Sequence, residues 1–266
     1  MTGAEPSVGT LLQVAPWGLA ASASLALLAW VGSVLLRDAS LVDRFWSALI
    51  GAAALAYAVL LPATGARAGW MGALLLVWAL RLAVYISWRN WGHGEDRRYQ
   101  AIRARNQPNF ALKSLYLVFA LQALIAWGVA MPFLAGFAVD APLGAVDGIG
   151  AALAIFGIGF EAVADAQMAR FRADPANRSR VMDRGLWRLS RHPNYFGEAC
   201  TWWGLWLLAC GAGGWWTVVS PLAMTVLLLK VSGVVLLEKD IGERRPAYRE
   251  YTKRTSAFIP WRPRKG

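Results

Sequence analysis

With two cysteines and two histidines in 266 residues, the chain has little with which to build a disulfide framework or a metal centre. Cys200 and Cys210 share one apolar block and lack metal-ligand spacing, while His93 and His192 stand far apart, so no metal site is expected. Charge is scarce too: Asp, Glu, Lys and Arg make up 16% of the residues, whereas a soluble domain carries nearer a quarter. No basic region precedes the first apolar block, which is long enough to span, so no cleavable signal peptide is expected. Internal repeats and low-complexity linkers are absent from the sequence.

What remains is apolar. Hydrophobic residues make up 57% of the chain, and they arrive in blocks suited to hydrocarbon, which a helix of about 20 residues crosses. Seven blocks are expected as spans: 17–36, 45–61, 69–88, 115–137, 146–166, 199–210 and 215–237, the sixth short and followed by Gly211, Gly213 and Gly214. The expected fold is an all-α integral membrane protein, a seven-transmembrane helix bundle forming a single membrane domain over residues 1–266. Its water-facing elements are 89–114, 167–198 and 238–266. The net charge of +11 is placed on one side of such a bundle. Of 27 Lys and Arg, two, six, seven and nine lie in the alternate connections and the tail, 24 in all. This positive-inside pattern predicts an amino terminus outside and a carboxyl terminus in the cytosol, and ties the charge to a membrane rather than to nucleic acid. The opposite connections hold only Arg67 as a cation, and Asp140 and Asp147, which flank one of them, are expected to be solvated.

Polar groups at the spans carry the chemistry. Arg191-His192-Pro193-Asn194-Tyr195-Phe196-Gly197-Glu198 crowds cationic, aromatic, amide and carboxylate groups at the entrance to an apolar block. Such groups are costly at a membrane boundary unless they meet partners or a polar ligand, so a water-facing ligand site is expected there. In the third block Trp78, Arg81, Tyr85, Trp88 and Arg89 recur at three- and four-residue steps and share a helical face. Arg81 is either a packing residue with a carboxylate partner or a cation turned to a polar ligand. Glu161, Asp165, Met168 and Arg172 line one face at the end of the fifth block. Two carboxylates one turn apart need donors, which ribose hydroxyls, an amide or interfacial arginines supply. Arg178, Arg180 and Arg184 suit phosphates by their planar donors, or lipid headgroups and topology. Gly157-Ile158-Gly159-Phe160-Glu161-Ala162 matches the dinucleotide glycine fingerprint only formally, because it lies inside a span and not at a strand-to-helix turn. Its glycines are expected to allow close helix packing. The charged tail is expected to restart as a helix at Pro246, with Tyr248 and Tyr251 facing one way.

Asp165, Arg172, Arg180, the run Asn194-Tyr195-Phe196-Gly197-Glu198 and Ala257-Phe258-Ile259-Pro260 together resemble the steroid 5α-reductase family. Gly92-His93-Gly94-Glu95-Asp96-Arg97-Arg98-Tyr99 and Arg172-Ala173-Asp174-Pro175 look like its bacterial branch, and the resemblance runs from about Asp43 to Trp261. It implies NADPH-dependent reduction of the Δ4 double bond of a 3-oxo-steroid or related enone lipid, with the cofactor entering from the cytosol. By position it implies that Asp165, Arg172, Arg180, Asn194 and Glu198 contact NADPH, with Arg81, Tyr85 and Arg89 as further contacts. Glu161, Arg191, His192 and Tyr195 belong to the same expected site, and Arg244 and Tyr248 are its candidates in the tail. Trp78 stands where the animal enzymes have the tyrosine that polarises the ketone, and indole is no general acid. Asp43, Tyr57 and Tyr85 are the candidates for that role.

The run from Arg191 to Gly197 is also similar to that of isoprenylcysteine carboxyl methyltransferases, which bind S-adenosylmethionine. The carboxylate and arginine stripe upstream favours a cofactor with phosphates, which S-adenosylmethionine lacks. The alanine and arginine content, with the branch resemblance, points to a bacterial inner membrane.

Overall fold

The computed structural model describes residues 8–61, 65–231, 234, 238 and 246–264. These residues are helical with no strand among them; the one bridge, between Ser190 and Ser256, is isolated. Five helices are long and apolar enough to cross a membrane: α1 (Val8–Leu36), α2 (Leu41–Leu60), α3 (Ala66–Arg89), α5 (Phe110–Gly136) and α6 (Ala145–Ala173). Between α3 and α5 lies the short, charged α4 (Arg97–Arg105), whose amino end is capped by the Asp96 side chain. After α6 come the 18-residue α7 (Pro193–Cys210), the shorter apolar α8 (Gly214–Lys230) and the charged α9 (Ala247–Arg254). The protein is a multi-pass membrane protein.

The chain divides into two units. The first is Met1–Asp147 with Leu208–Ser220; the second is Gly148–Leu207 with Pro221–Gly266. In the first, burial runs opposite to that of a soluble bundle. The buried stripe of α1 is Gly18, Ser22, Ala26, Ala29 and Ser33, while Leu28, Val59 and Val84 are exposed. Lipid solvates large aliphatic side chains, so helices meet through small residues and a few interhelical hydrogen bonds. Ser22 supplies one, donating to the Leu49 carbonyl at 2.8 Å.

Two expectations from the sequence are corrected here. Asp147 is not solvated, and Arg67 is no surface cation. They are 3% and 1% exposed, paired through Nε–Oδ1 at 2.7 Å and Nη2–Oδ2 at 3.0 Å. Arg67 also donates to the carbonyls of Ala141 and Pro142 at 3.2 and 3.1 Å, and the Gly144 amide donates to Asp147 at 2.8 Å. The planar fork of Arg matches a carboxylate, and the extra carbonyls take up the donors that burial would otherwise orphan. A Cβ on Gly211 would fall within 2.6 Å of Asp147 and 2.9 Å of Arg67, so the break after α7 keeps a glycine where the chain passes the pair.

The second correction concerns α7. The polar run was expected to precede a helix starting at 199; instead the helix begins at Pro193. Proline fits the first helical position because its missing N–H is unbonded there anyway. Asn194, Tyr195 and Glu198 therefore take helical spacing, with Asn194 and Glu198 one turn apart on one face.

Candidate functional site

In the second unit, glycine sets the register of the site. A Cβ on Gly197 would lie 2.6 Å from the Glu161 amide nitrogen and 2.7 Å from the Gly157 carbonyl. One on Gly204 would lie 2.5 Å from the Ala154 nitrogen. The two points are seven residues apart on each helix and run in opposite senses, so α6 and α7 are antiparallel with their backbones in close approach. The packing role expected of the fingerprint glycines holds for Gly157; Gly159 has nothing within 4 Å of an added Cβ and plays no such part.

Extending this register from the 161–197 contact brings residue 165 beside 193 and 194. Asn194 Nδ2 does donate to Asp165 Oδ1, at 3.3 Å. Glu161 and Asp165, 2% and 5% exposed, and the buried Glu198 thus lie on adjoining helices of one unit. Asn194 Oδ1 is itself buried and has no hydrogen-bond partner among the described residues. A buried acceptor without a donor costs about 1–3 kcal/mol, so a donor brought by a ligand is favoured at this atom. From Glu161 to Arg172 the α6 face climbs about 16 Å, at about 1.5 Å per residue. Burial ends along the way: Arg172, Arg178, Arg180 and Arg184 are exposed. A set of buried acceptors followed by exposed guanidiniums suits a ligand with hydroxyl and amide donors at one end and anionic groups at the other.

Arg191 and His192, both expected at the cofactor, also have protein partners. Arg191 grips Glu238 with Nε at 2.7 Å and Nη2 at 2.9 Å, and Nη1 donates to the Thr252 and Thr255 carbonyls at 3.0 and 2.8 Å. His192 Nε2 lies 2.9 Å from Glu238, and its ring stacks on Tyr195 with centroids 5.4 Å apart. Tyr248 donates to Glu238 at 3.3 Å. Around this hub the tail is strapped to the chain before α7: the Arg191 amide donates to Ser256, the Ser190 hydroxyl to Phe258 and the Trp261 amide to Leu189, at 2.8, 2.8 and 2.9 Å. Tyr251 donates to the Trp187 carbonyl and packs edge-on against Tyr248, so these tyrosines share a face as expected. Phe160, Phe196 and Phe258 continue the link as edge-to-face pairs at 5.6 and 5.9 Å.

Burial alone would raise the Glu238 pKa; the bonds to His192 and Arg191 outweigh it and hold the carboxyl at about 2. Burial and then the Glu238 charge raise that of Tyr248, which keeps its hydroxyl a donor. The sequence analysis did not single out Glu238. The available signal was a lone carboxylate directly after an apolar block, with an Arg-His pair elsewhere needing a counter-charge. Arg244 lies outside the described residues.

The remaining candidates belong to the first unit. Along α3 burial decays from Trp78, fully enclosed, through half-buried Arg81 and Tyr85 to exposed Trp88 and Arg89. Arg89 lies over the Tyr85 ring at 5.6 Å. Asp43 and Tyr57 sit at opposite ends of α2, about 21 Å apart at about 1.5 Å per residue. Asp43 accepts from Arg98 at 2.8 Å and from Tyr99 at 2.6 Å, which docks α4 on α2. Burial, reinforced by Asp43, raises the Tyr99 pKa. Tyr57 is fully buried with its ring in the notch left by Gly18, and its hydroxyl reaches the Ala15 carbonyl at 3.4 Å. Both residues thus have structural tasks. Among the described residues no group of three or more His, Cys, Asp or Glu is arranged to hold a metal.

Comparison with known proteins agrees with the reach of these features along the chain. An uncharacterized protein of Schizosaccharomyces pombe is 28% identical over 276 residues, covering 91% of this chain and 78% of its own. No solved structure matches. The family described as a protein of unknown function (DUF1295) matches residues 29–255, which take in both units and every described candidate residue, and the chain belongs to that family.

Proposed function

We propose that this protein is an NADPH-dependent reductase of a membrane lipid carrying a conjugated enone, such as a 3-oxo-Δ4-steroid. The observation that carries the reading is the α6–α7 cluster. Buried Glu161, Asp165 and Glu198 lie on adjoining helices with Asn194, whose amide oxygen lacks a donor. In this reading the carboxylates accept from ribose hydroxyls, Asn194 Oδ1 accepts from a carboxamide or hydroxyl, and Arg172 and Arg180 bind phosphates. Bound NADPH supplies the hydride that reduces the double bond. A hydrogen-bond donor to the substrate oxo group in a dry site contributes about 3–4 kcal/mol to the transition state. The likeness to steroid 5α-reductases supports the same residues. The proposed topology is seven spans, α7 and α8 being the sixth and seventh, with the amino terminus outside and the tail in the cytosol of a bacterial inner membrane.

The second reading is an isoprenylcysteine-type carboxyl methyltransferase. The motif shared with that group includes Arg191 and His192, and here both bind Glu238, so those two residues do not argue for S-adenosylmethionine. The test is binding of NADPH, NADH and S-adenosylmethionine to detergent-purified protein, alongside Arg172→Ala and Asn194→Ala. NADPH binding weakened about tenfold or more in both variants is expected, a loss of roughly 1.4 kcal/mol or more. Binding of S-adenosylmethionine with no response to either nicotinamide would replace the proposal with the methyltransferase.

A further inference from the structure

The end of α1 bears a cavity lined by none of the candidate site residues above. Its volume is about 370 Å³, and its walls include Val34, Arg37, Arg103, Phe110, Ala111 and Ser114. Its only charged lining residues are the two arginines. Arg103 is fixed: Nε and Nη2 each donate to Glu95 at 2.8 Å, Nη2 also reaches the Arg37 carbonyl at 3.3 Å, and the guanidinium lies 4.5 Å above the Phe110 ring. Its Nη1 makes no hydrogen bond among the described residues.

Arg37 follows α1 directly, with a left-handed backbone at φ 54. It is exposed, and its guanidinium has no hydrogen bond or ion pair among the described residues. Glu95 pairs with Arg103, whereas the Arg37 guanidinium has no ion pair among the described residues and is the cation at the cavity free to meet an anion. Val34, which lines the cavity, and its neighbour Leu35 are exposed large apolar residues at the last turn of a membrane helix. A guanidinium above an apolar helix end combines a fork of donors for phosphate oxygens with a hydrocarbon-facing wall, and basic pockets between membrane helices are suited to anionic headgroups.

We propose that this cavity binds the phosphate headgroup of an anionic membrane phospholipid. Arg37 and the Nη1 edge of Arg103 hold the phosphate, and an acyl chain runs down Val34 and Leu35. The inference does not rest on the cofactor reading, because every residue in it lies outside the α6–α7 cluster. A lipid is favoured over free phosphate because only a lipid covers the apolar wall, at about 25 cal/mol per Å² of apolar surface removed from water.

The test is native mass spectrometry of the detergent-purified full-length protein with phosphatidylglycerol, phosphatidylcholine or inorganic phosphate. The parent is expected to retain phosphatidylglycerol over phosphatidylcholine. Arg37→Gly removes the guanidinium and suits the left-handed backbone; it is expected to weaken retention about tenfold, while Arg37→Lys keeps most of it. Ala111→Trp fills the cavity without touching a charge and is expected to lower retention as well, which keeps the test valid should Arg37→Gly fold poorly. Equal retention of both lipids, or unchanged retention in Arg37→Gly and Ala111→Trp, would overturn the proposal. So would inorganic phosphate displacing phosphatidylglycerol at matched concentration, which would mark a free-phosphate site instead.

Discussion

The first unit closes its buried charge with protein partners, and the second holds a buried amide oxygen that has no donor among the described residues. Arg67 and Asp147 meet through two short bonds, and backbone groups take up other donors and acceptors of both side chains. In the second unit three buried carboxylates adjoin an asparagine whose amide oxygen lacks a donor. A closed pair gains nothing from a ligand. A buried acceptor without a donor does, and that contrast separates a structural polar group from a binding one.

The largest expected effect breaks the closed pair. Arg67→Ala strands Asp147 in an apolar setting and is expected to cost roughly 3–5 kcal/mol of stability, visible as a collapse of the thermal midpoint in detergent. Asn194→Ala removes an amide with one long bond of 3.3 Å and is expected to change stability far less while weakening NADPH binding. If the two variants unfold alike, the contrast fails.

Next in size is the helix contact. Gly197→Val pushes a side chain into the α6 backbone and is expected to destabilise by about 1–3 kcal/mol, whereas Gly159→Ala, with open space around it, is expected to be silent in the same melting assay.

The tail strap gives a pH signature. Glu238 titrates lower in the folded protein than its ordinary value of 4.5, at about 2. Its contribution is therefore fully present above about pH 4.5 and is lost as pH falls towards 2. Hydrogen exchange at 246–264 is expected to stay slow down to about pH 4.5 and to quicken below it relative to α6. Uniform behaviour across the unit would remove Glu238 from its role.

Tyr57→Phe is expected to have the smallest effect, within about 1 kcal/mol and with turnover unchanged, because its hydroxyl makes one long bond to a backbone carbonyl. A large loss of turnover on an enone substrate would return Tyr57 to the chemistry.

Much of this was legible in the sequence because periodicity reports a helix face directly. The described parts of the seven apolar blocks lie in helices, and the stripe from Glu161 to Arg172 lies on one face of α6 as its spacing required. Partners were not legible, since spacing along the chain says nothing of what lies across it. Arg67 and Asp147 are 80 residues apart, and assigning both to outer connections made each look solvated. Arg191 and His192 looked like ligand groups because their partner, Glu238, lies more than 40 residues later. The start of α7 was missed because a polar first turn hides a helix from any argument based on apolar runs. The pairing of Asp165 with Asn194 depends on a register set by Gly197 and Gly204, which only the packed helices reveal.

The central claim is that the α6–α7 cluster binds a phosphate-bearing dinucleotide. Its most direct test is hydrogen exchange of the parent and Asn194→Ala with NADPH and, separately, S-adenosylmethionine. The account predicts that NADPH slows exchange across 161–172 and 193–198 in the parent and leaves the variant unchanged, while S-adenosylmethionine does nothing. Protection of those segments by S-adenosylmethionine alone, or NADPH protection confined to other parts of the chain, would contradict it.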